Sequence, residues 1–204
     1  MLAAPACTAR RHALSHVFIF FGVVRVQVLG GETLQTKEPN KTFALLRAHI
    51  QAVRESSPGL YCSPVLVVVE RNLGFEAEHL FRACEDIPNA YYVRENNQPS
   101  RIGVLTTLPR KQEFVTLTNV LLRESRIFAW ETSWTNVQNN GSRKVLHEQL
   151  SYFGYTFSAA DNLFQKERFS ISGKGAGGKD DLCMAFLIGV YVAKKLSMGE
   201  SFMY

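Results

Sequence analysis

Two hydrophobic periods alternate along the chain. Residues 17–22 and 24–29, rich in β-branched and aromatic side chains, read as two strands, and Gly30-Gly31-Glu32 continues them as a hairpin-like pattern. Residues 41–55, KTFALLRAHIQAVRE, switch to helical spacing with Phe43, Leu46, Ile50 and Val53 on one side, behind Asn40 as a cap. SSPG at 56–59 ends that helix. Residues 64–70 then form a near-continuous apolar run, the pattern of a central strand covered on both faces. A helix is expected over 74–85, with Phe75, Leu80, Phe81 and Cys84 inward, and a short strand over 89–95, NAYYVRE. Further helices are expected at about 110–125 (Phe114, Leu117, Leu121, Leu122) and about 142–153 (Leu146, Leu150, Phe153), and a last one from Asp180 through LCMAFLIGVYVAKKL. Strands alternating with helices indicate an α/β fold. No repeat, low-complexity segment or long linker divides the 204 residues, so one domain over 1–204 is the expectation.

Composition narrows the functional classes only modestly. With 46% hydrophobic residues the chain has material for a core, and a net charge of +5 permits a polyanionic partner without demanding one. The four cysteines are scattered, with no CxxC pair, which reads as a reduced intracellular chain. Asn40-Lys-Thr and Asn140-Gly-Ser match glycosylation sequons, triplets that arise often by chance. No run reaches the roughly 18 apolar residues of a membrane span; the longest candidate, VFIFFGVV at 17–24, stops at Arg25. Arg10, Arg11 and His12 ahead of an apolar stretch mimic a targeting peptide, but the hairpin-like continuation favours a core strand with a basic lead-in.

The residues that carry chemistry are few. Glu70 closes the valine run 65–69, at the C-terminal end of a central strand, where open α/β sheets build their sites. Asp180 and Asp181 open the final helix, just after the glycine- and lysine-rich stretch GKGAGGK at 173–179. Each has a structural explanation. Asp180-Asp181 can supply a cap and a favourable charge at the helix dipole, and Glu70 can pair with Arg71 or Arg94. Together they form an acidic set of the kind that hard divalent cations draw from separate elements.

Four ordered segments resemble the nuclease domain of the large terminase subunit of tailed phages and herpesviruses. VLVVVERNLG (65–74) resembles that family's strand ending in a catalytic Glu. RIGVLTTLPRKQEFVTLTNVLLRESRI (101–127) resembles its threonine-then-lysine segment leading into a helix. KVLHEQLSYF (144–153) resembles its E-L-x-x-F helix, and GKDDLCMAFLIGVYVA (178–193) its terminal Asp-Asp-Leu helix. The resemblance implies a ribonuclease H-like mixed sheet flanked by helices. It also implies a metal-dependent DNA endonuclease that cuts concatemeric viral genomes during packaging. Two Mg²⁺ or Mn²⁺ ions, about 4 Å apart in such sites, would be held by Glu70, Asp180 and Asp181. Lys111, Lys174 and Lys179 would meet phosphates of double-stranded DNA, and Trp130 and Trp134 would pack their loop or touch DNA. In that family the partners are other terminase subunits and the portal, with no membrane. The setting is the host nucleus for a herpesvirus-like protein and the host cytoplasm for a phage-like one.

One part of the pattern is broken. The family's first catalytic Asp sits in an Asp-Pro-Ala turn at the end of the first strand, and here Ala4-Pro5-Ala6 stands in that place. The first strand is therefore expected to be missing or incomplete. Segment 1–15 should be irregular or should improvise the pairing. No acidic residue precedes Glu32, and no GxxxxGK[ST] loop marks an ATPase domain, as in a C-terminal fragment or remnant of a longer gene. Alternatives are a non-catalytic DNA- or partner-binding remnant, and another ribonuclease H-like nuclease such as a resolvase or transposase. The nuclease reading requires Glu70 to come within metal-sharing distance of Asp180 or Asp181.

Overall fold

The computed structural model describes residues 2–8, 13–21, 26–35, 39–56, 64–71, 87–97, 100–129, 140–158, 168–172, 180–199 and 202–203. The helix expected over 74–85, the loop carrying Trp130 and Trp134, and the segment carrying Lys174 and Lys179 lie outside these residues.

A six-stranded mixed sheet forms the centre. Its strands are β1 (Leu2–Thr8), β2 (Ala13–Phe21), β3 (Val26–Gln35), β4 (Val65–Val67), β5 (Ala90–Tyr92) and, after the two-residue β6 (Arg94–Glu95), β7 (Ile127–Ala129). They lie in the order β5-β4-β1-β2-β3-β7. β1, β2 and β3 pair antiparallel, while β4 runs parallel to β1 and to β5, and β7 parallel to β3. A register shift at Phe18/Ile19 marks a bulge between β2 and β3.

Residues 2–8 are thus not irregular. They fill the slot between β2 and β4. Against β2 the pairing runs the whole length of β1, from Leu2↔Ile19 to Thr8↔Ala13, but against β4 it is confined to Leu2↔Leu66 and Ala3↔Val67. The parallel half of this central strand is the incomplete part.

Among the described residues four helices accompany the sheet: α1 (Pro39–Ser56), α2 (Leu108–Arg123), α3 (Asn140–Tyr152) and α4 (Asp181–Ser197). α4 packs across β1, β2 and β3, and α2 and α3 pack against α4. Every residue of α4 from Asp181 to Ala193 is buried. A helix apolar on all sides can be stable only with neighbours all round, and here the sheet and two helices provide them. Leu66 and Val68 join Phe114, Leu121, Leu146 and the α4 side chains in one cluster. Val65, Val67 and Val69 are equally buried, and strand alternation puts them on the other face. The valine run is therefore covered on both sides. On α1, Leu46, Ile50 and Val53 are buried as their spacing predicts.

The inward stripe of α2 is Phe114, Thr118 and Leu121, whereas Leu122, expected inward, is 45% exposed. At 100° per residue Leu122 lies beyond the margin of that stripe, about 40° past Thr118, with Phe114 near its middle. Thr107 caps α2 by accepting from the Arg110 N–H at 3.4 Å. The helix ends in a Schellman arrangement, with Arg126 N–H to Leu121 O at 2.8 Å, Ser125 N–H to Leu122 O at 3.0 Å and Ser125 at φ 53°. That turn delivers the chain into β7. The hairpin β8 (Gly154–Ser158) with β9 (Arg168–Ser172), and the pairing of β10 (Phe202–Met203) with β6, were not foreseen.

The C-terminal end of β4 continues as an extended segment beside residues 103–104. Val104 N–H donates to Val69 O and Arg71 N–H to Val104 O, both at 2.8 Å. Gly103 makes this approach possible. It has φ +88°, and a Cβ there would stand 2.3 Å from the Val69 carbonyl oxygen. Gly103→Ala is expected to destabilise the fold by about 2–4 kcal/mol, combining left-handed strain with the clash. An unchanged urea midpoint in the variant would show that the segment can retreat from β4 at no cost.

Candidate active site at the end of the central strand

Glu70 is half-buried and keeps the parity of Leu66 and Val68, which places it on the sheet face that α4 covers. Its Oε1 accepts a hydrogen bond from the Thr106 hydroxyl. Thr106 is itself buried, and the loop that Gly103 brings against β4 puts it there. A carboxylate at the tip of an apolar strand is costly when nothing donates to it. Here a buried hydroxyl does, and Glu70 forms an isolated bridge with Val104 through its backbone.

The next residue, Arg71, does not serve Glu70. It pairs with Glu95, and both side chains are 8% exposed. Arg71 also donates to Gly103 O at 3.3 Å. Glu95 gathers further donors, the Leu105 N–H at 3.4 Å and the Arg110 guanidinium at 3.3 Å. Burial, then the positive charges of Arg101 and Arg110, pull the Arg71 pKa down from its usual value. Arg110 in turn donates to the Tyr191 hydroxyl at 2.6 Å, and Glu113 lies 3.8 Å from Arg110 and 3.4 Å from Lys195. A chain of charged and polar contacts thus runs from the residue after Glu70, through α2, to the middle of α4.

Asp180 and Asp181 stand at the start of α4, 6% and 5% exposed. Asp181 lies in the first turn, where the helix dipole favours a negative charge. Asp180 is the N-cap residue by position but makes no side-chain cap hydrogen bond. The Cys183 N–H, which such a cap would satisfy, donates instead to Gln149 Oε1 of α3 at 2.8 Å. Burial pushes the Cys183 thiol pKa up, and the nearby Asp180 charge adds to the rise.

Glu70 and the two aspartates therefore sit on neighbouring elements, since α4 lies across β1 and β1 pairs with β4. Carboxylate oxygens from separate elements are the donor chemistry that Mg²⁺ or Mn²⁺ takes. Among the described residues, no group of three or more His, Cys, Asp or Glu could hold a metal ion. The donor types fit a hard cation; the described set does not by itself close around one. Lys111 is half-buried in the first turn of α2, its N–H bonded to Thr107 O at 2.9 Å.

Sequence reasoning missed Glu95, Thr106 and Gln149 as individuals. Glu95 had a signal, because AYYVRE repeats in miniature the pattern of an apolar strand running into a carboxylate. Gln149 had none, because its role depends on how two helices 34 positions apart meet.

No protein-family model matches the chain, and no curated protein matches it in sequence. Solved structures do match it in fold. The human cytomegalovirus terminase nuclease domain, soaked with Mn, superposes at a TM-score of 0.65 with 13% identity, over 100% of this chain and 87% of that one. The same domain in a second structure gives 0.61 at 13% identity, with the same coverage. The large terminase nuclease of the thermophilic phage G20c gives 0.55 at 15% identity, over 93% of this chain and 80% of that one. The fold is that of terminase nuclease domains, a ribonuclease H-like mixed sheet flanked by helices. No helix among the described residues is long and apolar enough to cross a membrane.

Buried Arg71 and Glu95 generate a test. Glu95→Gln leaves Arg71 without its full counter-charge and should cost about 3–5 kcal/mol. Arg71→Met with Glu95→Leu should recover most of that loss, because Arg110 is 29% exposed and keeps Tyr191 and Glu113 as partners. Denaturant midpoints of the three variants check this, and a double variant as unstable as Glu95→Gln would contradict it.

Proposed function

We propose that this chain is a terminase-type DNA endonuclease domain whose divalent-metal site lacks one carboxylate. On this reading it binds double-stranded DNA and Mg²⁺ or Mn²⁺ and cuts DNA poorly. The observation that carries the proposal is the placement of Glu70, at the open end of a central strand in a terminase nuclease fold, held by a hydroxyl rather than by an ion pair with Arg71. The Mn-soaked cytomegalovirus domain supports the choice of a divalent cation for this fold.

The roles follow from the residues. Glu70, with Thr106 fixing its Oε1, would offer its other oxygen to a cation, and Asp180 or Asp181 would offer theirs from α4. A cation bound there would supply charge stabilisation to a phosphodiester and acidify water, the usual contribution of metal to such hydrolysis. Lys111, with Lys174 and Lys179, would hold phosphates as point charges that position the duplex.

The register of β1 against β4 supports a role for position 4 on this reading. Leu2 pairs with Leu66 and Ala3 with Val67. Continued by one step, that register sets Ala4 beside Val68, one turn of the pleat before Glu70. An acid at position 4 would complete three acidic positions on three elements.

The 204-residue chain should therefore nick supercoiled plasmid only weakly in Mn²⁺. Ala4→Asp should raise the rate at least tenfold, EDTA should abolish the gain, and Glu70→Gln in the Ala4→Asp chain should abolish it too. Strong EDTA-sensitive nicking by the unchanged chain would mean that another acid already fills the place. DNA binding that persists in every variant, with no nicking in any, would favour a non-catalytic DNA-binding role.

A further inference from the structure

Arg101 and Arg110 bracket the segment 102–107 that packs on the end of β4 and carries Thr106 to Glu70. Arg101 directly precedes Ile102, which bridges Arg94, and its exposed side chain makes no hydrogen bond or ion pair among the described residues. Arg110 lies on the other side, in the first turn of α2, and is 29% exposed. Its fork is already fixed. One terminal nitrogen donates to the Tyr191 hydroxyl at 2.6 Å, the other stands 3.3 Å from Glu95, and the guanidinium carbon lies 5.5 Å from the Tyr191 ring centroid. Each terminal nitrogen of an arginine carries two hydrogens, so one on each remains for a further acceptor.

Arg110 shares both of its carboxylates. Glu95 also pairs with Arg71, and Glu113, 3.8 Å from Arg110, lies 3.4 Å from Lys195. The first turn of α2 has no acidic residue and holds Arg110 and Lys111 instead, at the helix end where the dipole is already positive. Burial first, and then the charges of Arg101 and Arg110, lower the Arg71 pKa, so the three guanidinium groups stand within one another's fields. Like charges gathered at a positive helix end are unfavourable until an anion comes to them.

We propose that Arg101 and Arg110 form a phosphate-binding pair beside Glu70, taking neighbouring backbone phosphates of a DNA strand. This deepens the proposed function and rests on it for DNA as the ligand. The planar guanidinium fork matches phosphate oxygens. Tyr191 and Glu95 hold Arg110 in place, so little side-chain freedom is lost when it binds, while the exposed Arg101 can follow the strand. Such a pair suits a polymer lying across the surface better than a small anion enclosed in a pocket. It needs no cation, so its contribution is measurable in the absence of metal.

The test is fluorescence anisotropy of a labelled duplex with the full chain in EDTA, over a range of salt concentrations. Arg101→Gln should weaken binding by about threefold or more at low salt and make the slope of log K against log salt shallower by about 1, the loss of one phosphate contact. Its Tm should stay at the wild-type value, because Arg101 has no described partner to lose. Arg110→Gln should weaken binding at least as much and should also lower Tm, since Glu95 and Tyr191 lose a donor. Arg101→Lys, which keeps the charge, should keep the salt slope. Arg123→Gln, which removes another exposed arginine at the far end of α2, should leave affinity and slope at their wild-type values.

Wild-type affinity and salt slope in Arg101→Gln overturn the proposal while leaving DNA binding by the chain in place. An equal loss in Arg101→Gln and Arg123→Gln overturns it too, because attraction would then follow net charge and not this pair. If the wild-type chain binds no duplex, the DNA reading itself fails. A rise in Tm with inorganic phosphate that Arg101→Gln removes would in that case give the pair to a free phosphate, which overturns its assignment to DNA.

Discussion

The close approach of residues 103–106 to the end of β4 governs the geometry of the site. It exists because Gly103 has no Cβ and takes a positive φ, so that Val104 can exchange backbone hydrogen bonds with Val69 and Arg71. Three consequences follow within a few residues. Thr106 is carried to Glu70 and donates to it, Leu105 presents its amide to Glu95, and Thr107 starts α2. An apolar strand can end in a carboxylate here because the neighbouring segment brings a donor, and one missing side chain lets that segment come near.

The ion pair of Arg71 with Glu95 has a different character. Burying a charge pair is seldom a net gain over apolar packing, because the desolvation of both ions must be recovered. Its effect here is on arrangement. By occupying Arg71, Glu95 removes the nearest cation from Glu70, which is left with a neutral donor. A carboxylate held by a hydroxyl keeps its negative charge available to a cation; one locked to a guanidinium does not. Arg110 extends the same constraint to Tyr191, so the strand bearing Glu70 and the helix bearing the aspartates share one network. Phe114 packs against Tyr191 with ring centroids 4.7 Å apart and the rings tilted by 53°, which fixes the α4 end of that network in the core.

Much of this was legible in the sequence, for identifiable reasons. The valine run announced a strand buried on both faces, the 3.6-residue spacing located α1, α2 and α3 within a few residues, and the long apolar run behind Asp180 located α4. Glu70 stood out because it breaks the run. The hairpin of β8 and β9 was not foreseen: its strands are five residues each, too short to carry a decisive alternation. The first strand was expected to be missing or incomplete because Ala4-Pro5-Ala6 stands where the family's turn would end it; residues 2–8 instead pair along β2 for their whole length and with β4 only at Leu2 and Ala3, so the sheet is incomplete on that side. The partners of Glu70 and of the Cys183 amide were hidden for another reason. Thr106 and Gln149 are 36 and 34 positions away in sequence, and only packing brings such residues into contact.

Position 4 illustrates how fold and chemistry separate. β1 is held by backbone pairing to β2 and by the contact of α4 across it, neither of which needs a carboxylate at residue 4. An acid there would lie near Glu70, and two carboxylates that share a site raise each other's pKa and repel unless a cation intervenes. Alanine removes that repulsion. On the proposed reading, alanine at position 4 would weaken a metal site and relieve the apo fold together, and the Gly103 approach, the Arg71–Glu95 pair and the α4 core do not depend on it. The architecture of terminase nuclease domains can thus be kept whatever side chain position 4 carries, because the rest of the sheet holds that strand in place.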